Sequence, residues 1–150
     1  MFAIRVRREL ELPSDKPGLF ADQDGRIPKE KSQSSVKAGG NYESSEGVFG
    51  GEVWGTRAKW MKLGGELSGE RVEIIILDHP NNPGYPTYWH ARGYGLFAAN
   101  PLGQEVFSKG KEQLNFQLAA GASQVFRYRI LIHEGKSLEK ETIEKFQEGF

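Results

Sequence analysis

The sequence predicts an all-β protein: an antiparallel β-sandwich of jelly-roll or supersandwich type, closed by one short C-terminal helix. Three observations predict it. Apolar residues recur with a period of two in several separate segments, residues 71–77 form a nearly continuous β-branched run, and helical spacing is confined to the stretch after Ser137. Glycine- and proline-containing turns between these segments favour antiparallel connections over a parallel α/β sheet.

Taken in order, Phe2, Ile4, Val6, Leu10 and Leu12 occupy even positions, and Ala3, Arg5, Arg7, Glu9 and Glu11 odd ones, the pattern of a half-buried strand broken at Arg8. A chain that opens in mid-strand suggests a piece of a longer protein. Residues 13–40, rich in Pro, Gly, Ser, Lys and Asp, read as a long loop with the composition of a mobile segment. Trp54, Thr56, Ala58 and Trp60 share a face opposite Arg57 and Lys59, and this strand is expected to run to turns at Gly64-Gly65 and Ser68-Gly69. Residues 71–77, with Val72, Ile74, Ile75, Ile76 and Leu77, suit a central strand covered on both faces.

After the proline-rich segment 80–86, alternation resumes from Trp89 to Ala99 as one strand and stops at Asn100-Pro101-Leu102-Gly103. Leu114, Phe116 and Leu118 mark a further strand. In the last one, Phe126, Tyr128, Ile130 and Ile132 are expected to point inward and Arg127, Arg129 and His133 outward to solvent or the terminal helix. That helix is placed over 137–148, capped by Ser137, with Leu138, Ile143 and Phe146 on its apolar side.

At 150 residues the chain fits one domain, or the C-terminal part of a larger one, able to bury roughly 70% of its unfolded surface. It has no cysteine, which excludes disulfides, thiolate metal sites and cysteine nucleophiles. Twenty basic and twenty acidic residues leave no net field to hold nucleic acid. The longest strongly apolar run, residues 74–77, is far short of the roughly 20 residues that span a bilayer. The N-terminus lacks the charged head and apolar block of a signal peptide, so a soluble chain is expected, its compartment unassigned.

Residues 77–95 concentrate three prolines, four aromatics, two of the three histidines, Asp78 and Arg92 where the chain leaves the central strand on a proline-stiffened backbone. Trp89 or Tyr88 offers a flat apolar face, and Asp78, His79, His90, Arg92 and Asn100 offer directional hydrogen bonds and proton transfer, together a saccharide-type pocket. Glu46, Trp54 and Arg57 would line its mouth. The plainer reading is that Asp78 and Asn100 cap turns, the histidines satisfy backbone groups and the aromatics fill the sandwich edge. A third reading joins His79, His90 and Asp78 or Glu46 as a two-histidine, one-carboxylate site for a divalent metal, although adjacent Asp78 and His79 point to opposite faces unless the loop bends. Gly93-Tyr94-Gly95 precedes a strand and is not a phosphate loop.

Asp78-His79-Pro80-x-Asn82-Pro83, Trp89-His90-Ala91-Arg92-Gly93-Tyr94-Gly95, Phe97-Ala98-Ala99-Asn100-Pro101 and Arg127-Tyr128-Arg129, with Ser45-Glu46-Gly47 and Trp54-Gly55-x-Arg57-Ala58 upstream, resemble the PmoA-like bacterial proteins. The resemblance covers most of residues 1–133. It implies that the chain corresponds to the C-terminal half of a longer protein, with a β-sandwich related in style to carbohydrate-processing proteins. The family's customary label, methane oxygenase PmoA, belongs to a membrane-embedded enzyme whose spanning helices this sequence does not supply.

The leading expectation is a sandwich that binds or transforms a sugar, with His79 and His90 as acid and base aided by Asp78 and Glu46, and Trp54, Arg57, Trp89, Arg92 and Asn100 holding the substrate. No cofactor is required. The rivals are a metal-dependent oxygenase and a non-catalytic module that meets a missing N-terminal half or a second copy of itself.

Overall fold

The computed structural model describes residues 1–13 and 37–150. The loop expected over 13–40 lies, from 14 to 36, outside the described residues. Seven strands are described: β1 (Phe2–Arg5), β2 (Asn41–Ser44), β3 (Trp60–Leu67), β4 (Glu70–Asp78), β5 (Trp89–Ala91), β6 (Leu96–Ala99) and β7 (Tyr128–Glu134). They form two antiparallel sheets, a smaller one in the order β1-β6-β5 and a larger one in the order β2-β3-β4-β7. A one-turn helix α1 (Gln104–Phe107) follows β6, and α2 (Lys140–Glu148) closes the chain. The fold is the expected all-β sandwich with a short C-terminal helix.

Side-chain alternation explains the layering. Met61, Leu63 and Ile76 of the larger sheet meet Trp89, Ala91, Phe97 and Ala99 of the smaller sheet, with Tyr42, Val53 and Leu10 completing the core. Trp60, Ile75 and Leu77 point the other way and are covered by Ile143 of α2, with Leu138 and Phe150 alongside. Residues 74–77 are therefore apolar without interruption because β4, between β3 and β7, is covered on both faces.

A buried polar network fastens α2 to this outer face. Glu73, fully buried, accepts hydrogen bonds from Ser137 Oγ at 2.5 Å and Leu138 N at 2.9 Å. Lys62 pairs with Glu43 at 2.7 Å and donates to Leu138 O at 3.2 Å. Ser137 is thus spent on Glu73 and does not cap the helix, which begins at Lys140. On α2 it is Ile143 and Gln147 that are buried, while Phe146, expected inside, is 43% exposed.

Several boundaries differ from the expected ones. Gly64-Gly65 lies within β3, not in a turn, because the backbone is crowded there: a Cβ on Gly65 would come within 2.8 Å of Leu10 Cδ2 and 3.2 Å of Gly40 Cα. The turn is Ser68-Gly69, with φ of 55° and 89°, the left-handed conformation of a tight hairpin. Residues 89–99 are two paired strands, reversed at 92–95 with Gly95 at φ 87°. No strand forms at Leu114, Phe116 and Leu118, where the chain is irregular and Leu118 is 52% exposed. Ile130 and Ile132 point to the inner face as expected but are 40% and 77% exposed, whereas Tyr128 at the start of β7 is covered by Phe2 of β1, whose ring stacks on it at 5.4 Å.

Candidate functional site

Tyr88, His90 and Arg92 follow at spacings of two, so all three side chains leave the same, outer face of the smaller sheet, while Thr87, Trp89 and Ala91 point into the sandwich. The segment 55–58 is added to this strand's edge: Gly55 N donates to Trp89 O at 2.8 Å, Trp89 N to Thr56 O at 3.0 Å, and Arg57 bridges to Tyr88. That pairing brings Trp54 and Arg57 to the outer face. Phe107, from α1, fills the middle of the cluster.

The Phe107 ring stacks on Tyr88 with centroids 5.6 Å apart and meets Trp54 and His90 edge-on, each at 5.6 Å. The Arg92 guanidinium lies 4.3 Å from the Trp54 ring centroid, a cation–π contact, and its Nε reaches His90 Nε2 at 3.4 Å. Acceptance at Nε2 assigns the imidazole proton to Nδ1. Burial lowers the His90 pKa, and the Arg92 charge lowers it further, so the ring is neutral at pH 7 and offers Nδ1–H as a donor. Trp54 keeps 39% of its surface exposed.

Arg57 has a different task. Its Nε donates to Pro86 O at 2.9 Å and its Nη2 to Gly84 O at 3.0 Å, and its Nη1 pairs with Glu112 at 2.5 Å, so the guanidinium clamps the proline-rich loop. Burial raises the pKa of the Tyr88 hydroxyl, and the Glu112 carboxylate raises it further.

The other expected site residues lie elsewhere. Trp89 is fully buried, its Nε1 donating to Ala58 O at 2.9 Å, so its faces belong to the core and offer no platform. Asp78, 1% exposed, accepts from Asn82 Nδ2 at 2.7 Å and from Thr87 N at 2.9 Å. Asn82 in turn joins the backbone of Arg127, donating to its O at 2.6 Å and accepting from its N at 2.8 Å. Asp78 thus ties the loop to the strand-7 entry, as the plainer reading expects. His79 turns to the opposite side of the larger sheet, its ring 4.7 Å from Phe150 and its Nδ1 accepting from Asn81 N. The sandwich core separates it from His90, so the two do not form an acid–base pair.

Asn100 ends β6, its N donating to Tyr88 O at 2.8 Å and its O accepting from Gly103 N, again a turn position. Glu46 is exposed in the loop after β2 and accepts from Ser45 Oγ. Among the described residues no three His, Asp or Glu converge as a metal site, and the two-histidine, one-carboxylate set is not assembled. Two shallow clefts of about 280 and 340 Å³, one beside Leu102 and Leu114 and one beside Gly65 and Arg71, touch none of the expected residues. No described helix is long and apolar enough to cross a membrane.

Of the nine expected residues, four share the surface cluster: Trp54, Arg57, His90 and Arg92. Phe107 and Glu112 were not singled out from the sequence. Period-two counting from His90 puts Tyr88 and Arg92 on its face and Trp89 on the other, but nothing local to Phe107 or Glu112 announces where α1 and the following loop return.

Asp78 carries a pH prediction. Burial pushes its pKa up to about 6, against the opposing pull of Asn82, Thr87 and Arg57. A raised folded-state pKa favours the protonated form, so its contribution is full below the unfolded value near 3.8 and is lost as pH rises through about 6. Urea unfolding at pH 5 and 7 should show an Asp78-dependent loss of about 1 kcal/mol between them, absent in Asp78→Asn. An equal pH slope in both proteins would refute this assignment.

Neither the curated proteins nor the solved structures contain a match to this chain. Residues 1–147 match the model of a family described as "Family of unknown function (DUF6807)". With nearly its whole length matched, the chain belongs to the DUF6807 family.

Proposed function

We propose that this protein is a carbohydrate-binding β-sandwich whose site is the outer face of the smaller sheet, at Trp54, His90 and Arg92. The observation that carries the reading is the exposed indole of Trp54 beside a guanidinium and a neutral imidazole. An indole face takes the apolar C–H side of a sugar ring, while Arg92 donates and His90 Nδ1–H donates to its hydroxyls. His90 lies in β5, Arg92 directly follows it, and Trp54 precedes the segment paired to its edge, while the Phe107 and Arg92 contacts fix the indole, so little ordering is required on binding.

The geometry favours binding over catalysis. His79 faces Phe150, and Asp78 spends its oxygens on Asn82 and Thr87, which leaves His90 without a second acid or base among the expected groups.

The chain has three tryptophans, and Trp60 and Trp89 are fully buried, so a ligand-induced change in indole emission reports on Trp54. Titration with a panel of mono- and disaccharides at millimolar concentration should give a saturable emission change and a raised melting temperature for at least one sugar. Trp54→Ala should weaken that sugar about tenfold or more. No response from any sugar, or unchanged affinity in Trp54→Ala by calorimetry, would overturn the proposal.

A further inference from the structure

β7 is the last strand of the larger sheet, and among the described residues its outer edge has no partner strand. The ladder shows which groups that edge presents. Gly135 N donates to Arg71 O, and Arg127 O accepts from His79 N, so the odd-numbered residues direct their backbone groups toward β4. The pairing from Val72↔Glu134 to Asp78↔Tyr128 is unbroken, so Tyr128, Ile130, Ile132 and Glu134 turn their N–H and C=O groups to the open edge. The same residues place Ile130 and Ile132, 40% and 77% exposed, on the inner sheet face beyond the smaller sheet. Exposed edges are ordinarily guarded by lysine, proline or a bulge. This one has no lysine, proline or bulge; its charges, Arg129 and Glu134, flank two exposed isoleucines, and Arg129 is turned to α2, where it bonds Phe146 O and Gly149 O.

We propose that β7 is a dimerisation edge, pairing antiparallel with β7 of a second copy about a two-fold axis at Leu131. The occupant follows from the strand itself. Tyr128–Glu134 is centred on Leu131, so this register pairs its full length: Ile130 meets Ile132 of the second copy, Ile132 meets its Ile130, and Tyr128 meets Glu134. All four outward-facing residues then pair with outward-facing residues, which gives about eight backbone hydrogen bonds by the antiparallel ladder rule. The four isoleucines form one apolar cluster on the inner side, and no like charges face each other on that row. Shifting the axis to Ile132 would set Ile130 against Glu134, and shifting it to Ile130 would leave Glu134 without a partner in the strand. The result is a continuous eight-stranded sheet with both α2 helices on one side, because a two-fold axis normal to the sheet keeps its faces in common.

The test is sedimentation velocity on the chain as given, at concentrations up to about 0.3 mM, where an affinity as weak as ~0.1 mM is still visible. A closed dimer is expected. Ile132→Lys should be monomeric and still melt cooperatively, because the side chain is 77% exposed in the single chain, and its melting temperature should no longer rise with protein concentration. The register is read separately: the chain has no cysteine, so Leu131→Cys, whose position faces itself across the axis, should oxidise to a covalent dimer faster than Ile132→Cys, whose position faces residue 130. A monomeric native chain overturns the proposal. So does a dimer that survives Ile132→Lys, an open polymer, or faster cross-linking at 132 than at 131.

Discussion

Trp89→Ala is expected to destabilise the protein by about 3–5 kcal/mol, the range for removing a fully buried large aromatic side chain. The indole fills the centre of the sandwich, 5.8 Å from the Phe97 ring and in one cluster with Met61, Leu63 and Ile76. Its removal leaves a cavity that strands anchored on both sides cannot close, and it orphans the Ala58 carbonyl that accepts from Nε1 at 2.9 Å. For a domain of this size the melting temperature should fall by about 10 °C or more. Read from sequence alone, the same substitution would be expected to abolish sugar binding without unfolding. Comparing Trp89→Ala with Trp54→Ala by denaturation separates the two roles. Loss of ligand with an unshifted melt in Trp89→Ala would return Trp89 to the surface.

Glu73→Ala is expected to cost a comparable amount, about 3–5 kcal/mol, because it breaks a buried ionic network from one side. Without the carboxylate, Ser137 Oγ and Leu138 N lose their acceptor, and Lys62, 8% exposed, keeps only Glu43 as a counter-charge. The segment carrying Leu138 then keeps only the Lys62 bonds to Ser137 Oγ and Leu138 O, and the packing of Ile143 on Trp60, Ile75 and Leu77 weakens with it. Hydrogen exchange should show α2 amides losing protection before those of β3 and β4. Glu73→Gln retains an acceptor and should lose less. Equal protection of α2 in the native protein and Glu73→Ala would show that apolar packing and the bonds of Lys140 to Ser45 O and Gln147 to Asp78 O hold the helix without Glu73.

The pH dependence of this network has the opposite sign to that of Asp78. Burial pushes the Glu73 pKa up, but the hydrogen bonds from Ser137, Leu138 N and Arg71 and the Lys62 charge outweigh it, and the net shift is downward. A depressed folded-state pKa gives stability that is present above the unfolded carboxylate value, about 4.3, and is lost as pH falls through the folded one. Acid should therefore loosen α2 first, in a pH range where Asp78 favours the folded state.

The sequence by itself determined the class of the fold. Period two in residues 2–6, the β-branched run of β4 and the helical spacing after Ser137 are local consequences of burying one face or both, and they survive in the structure. It also located a polar, aromatic segment where the chain leaves β4. What it did not contain was the side of the sheet on which each group would emerge. Trp89 and His90 are neighbours, and the pleat sends one into the core and the other to the surface. Either orientation fits the local pattern, since both flanks of the segment carry aromatics. The choice is made by the smaller sheet, which packs Trp89 against Met61 and Ile76, and by Phe107, which returns from 17 positions along the chain to cover His90. Likewise, Ile130 and Ile132 have the alternation of a buried strand, and they remain exposed because no described strand packs over them. Periodicity reports which residues share a face, whereas burial depends on what distant chain arrives to cover it, and that is decided only by the tertiary structure.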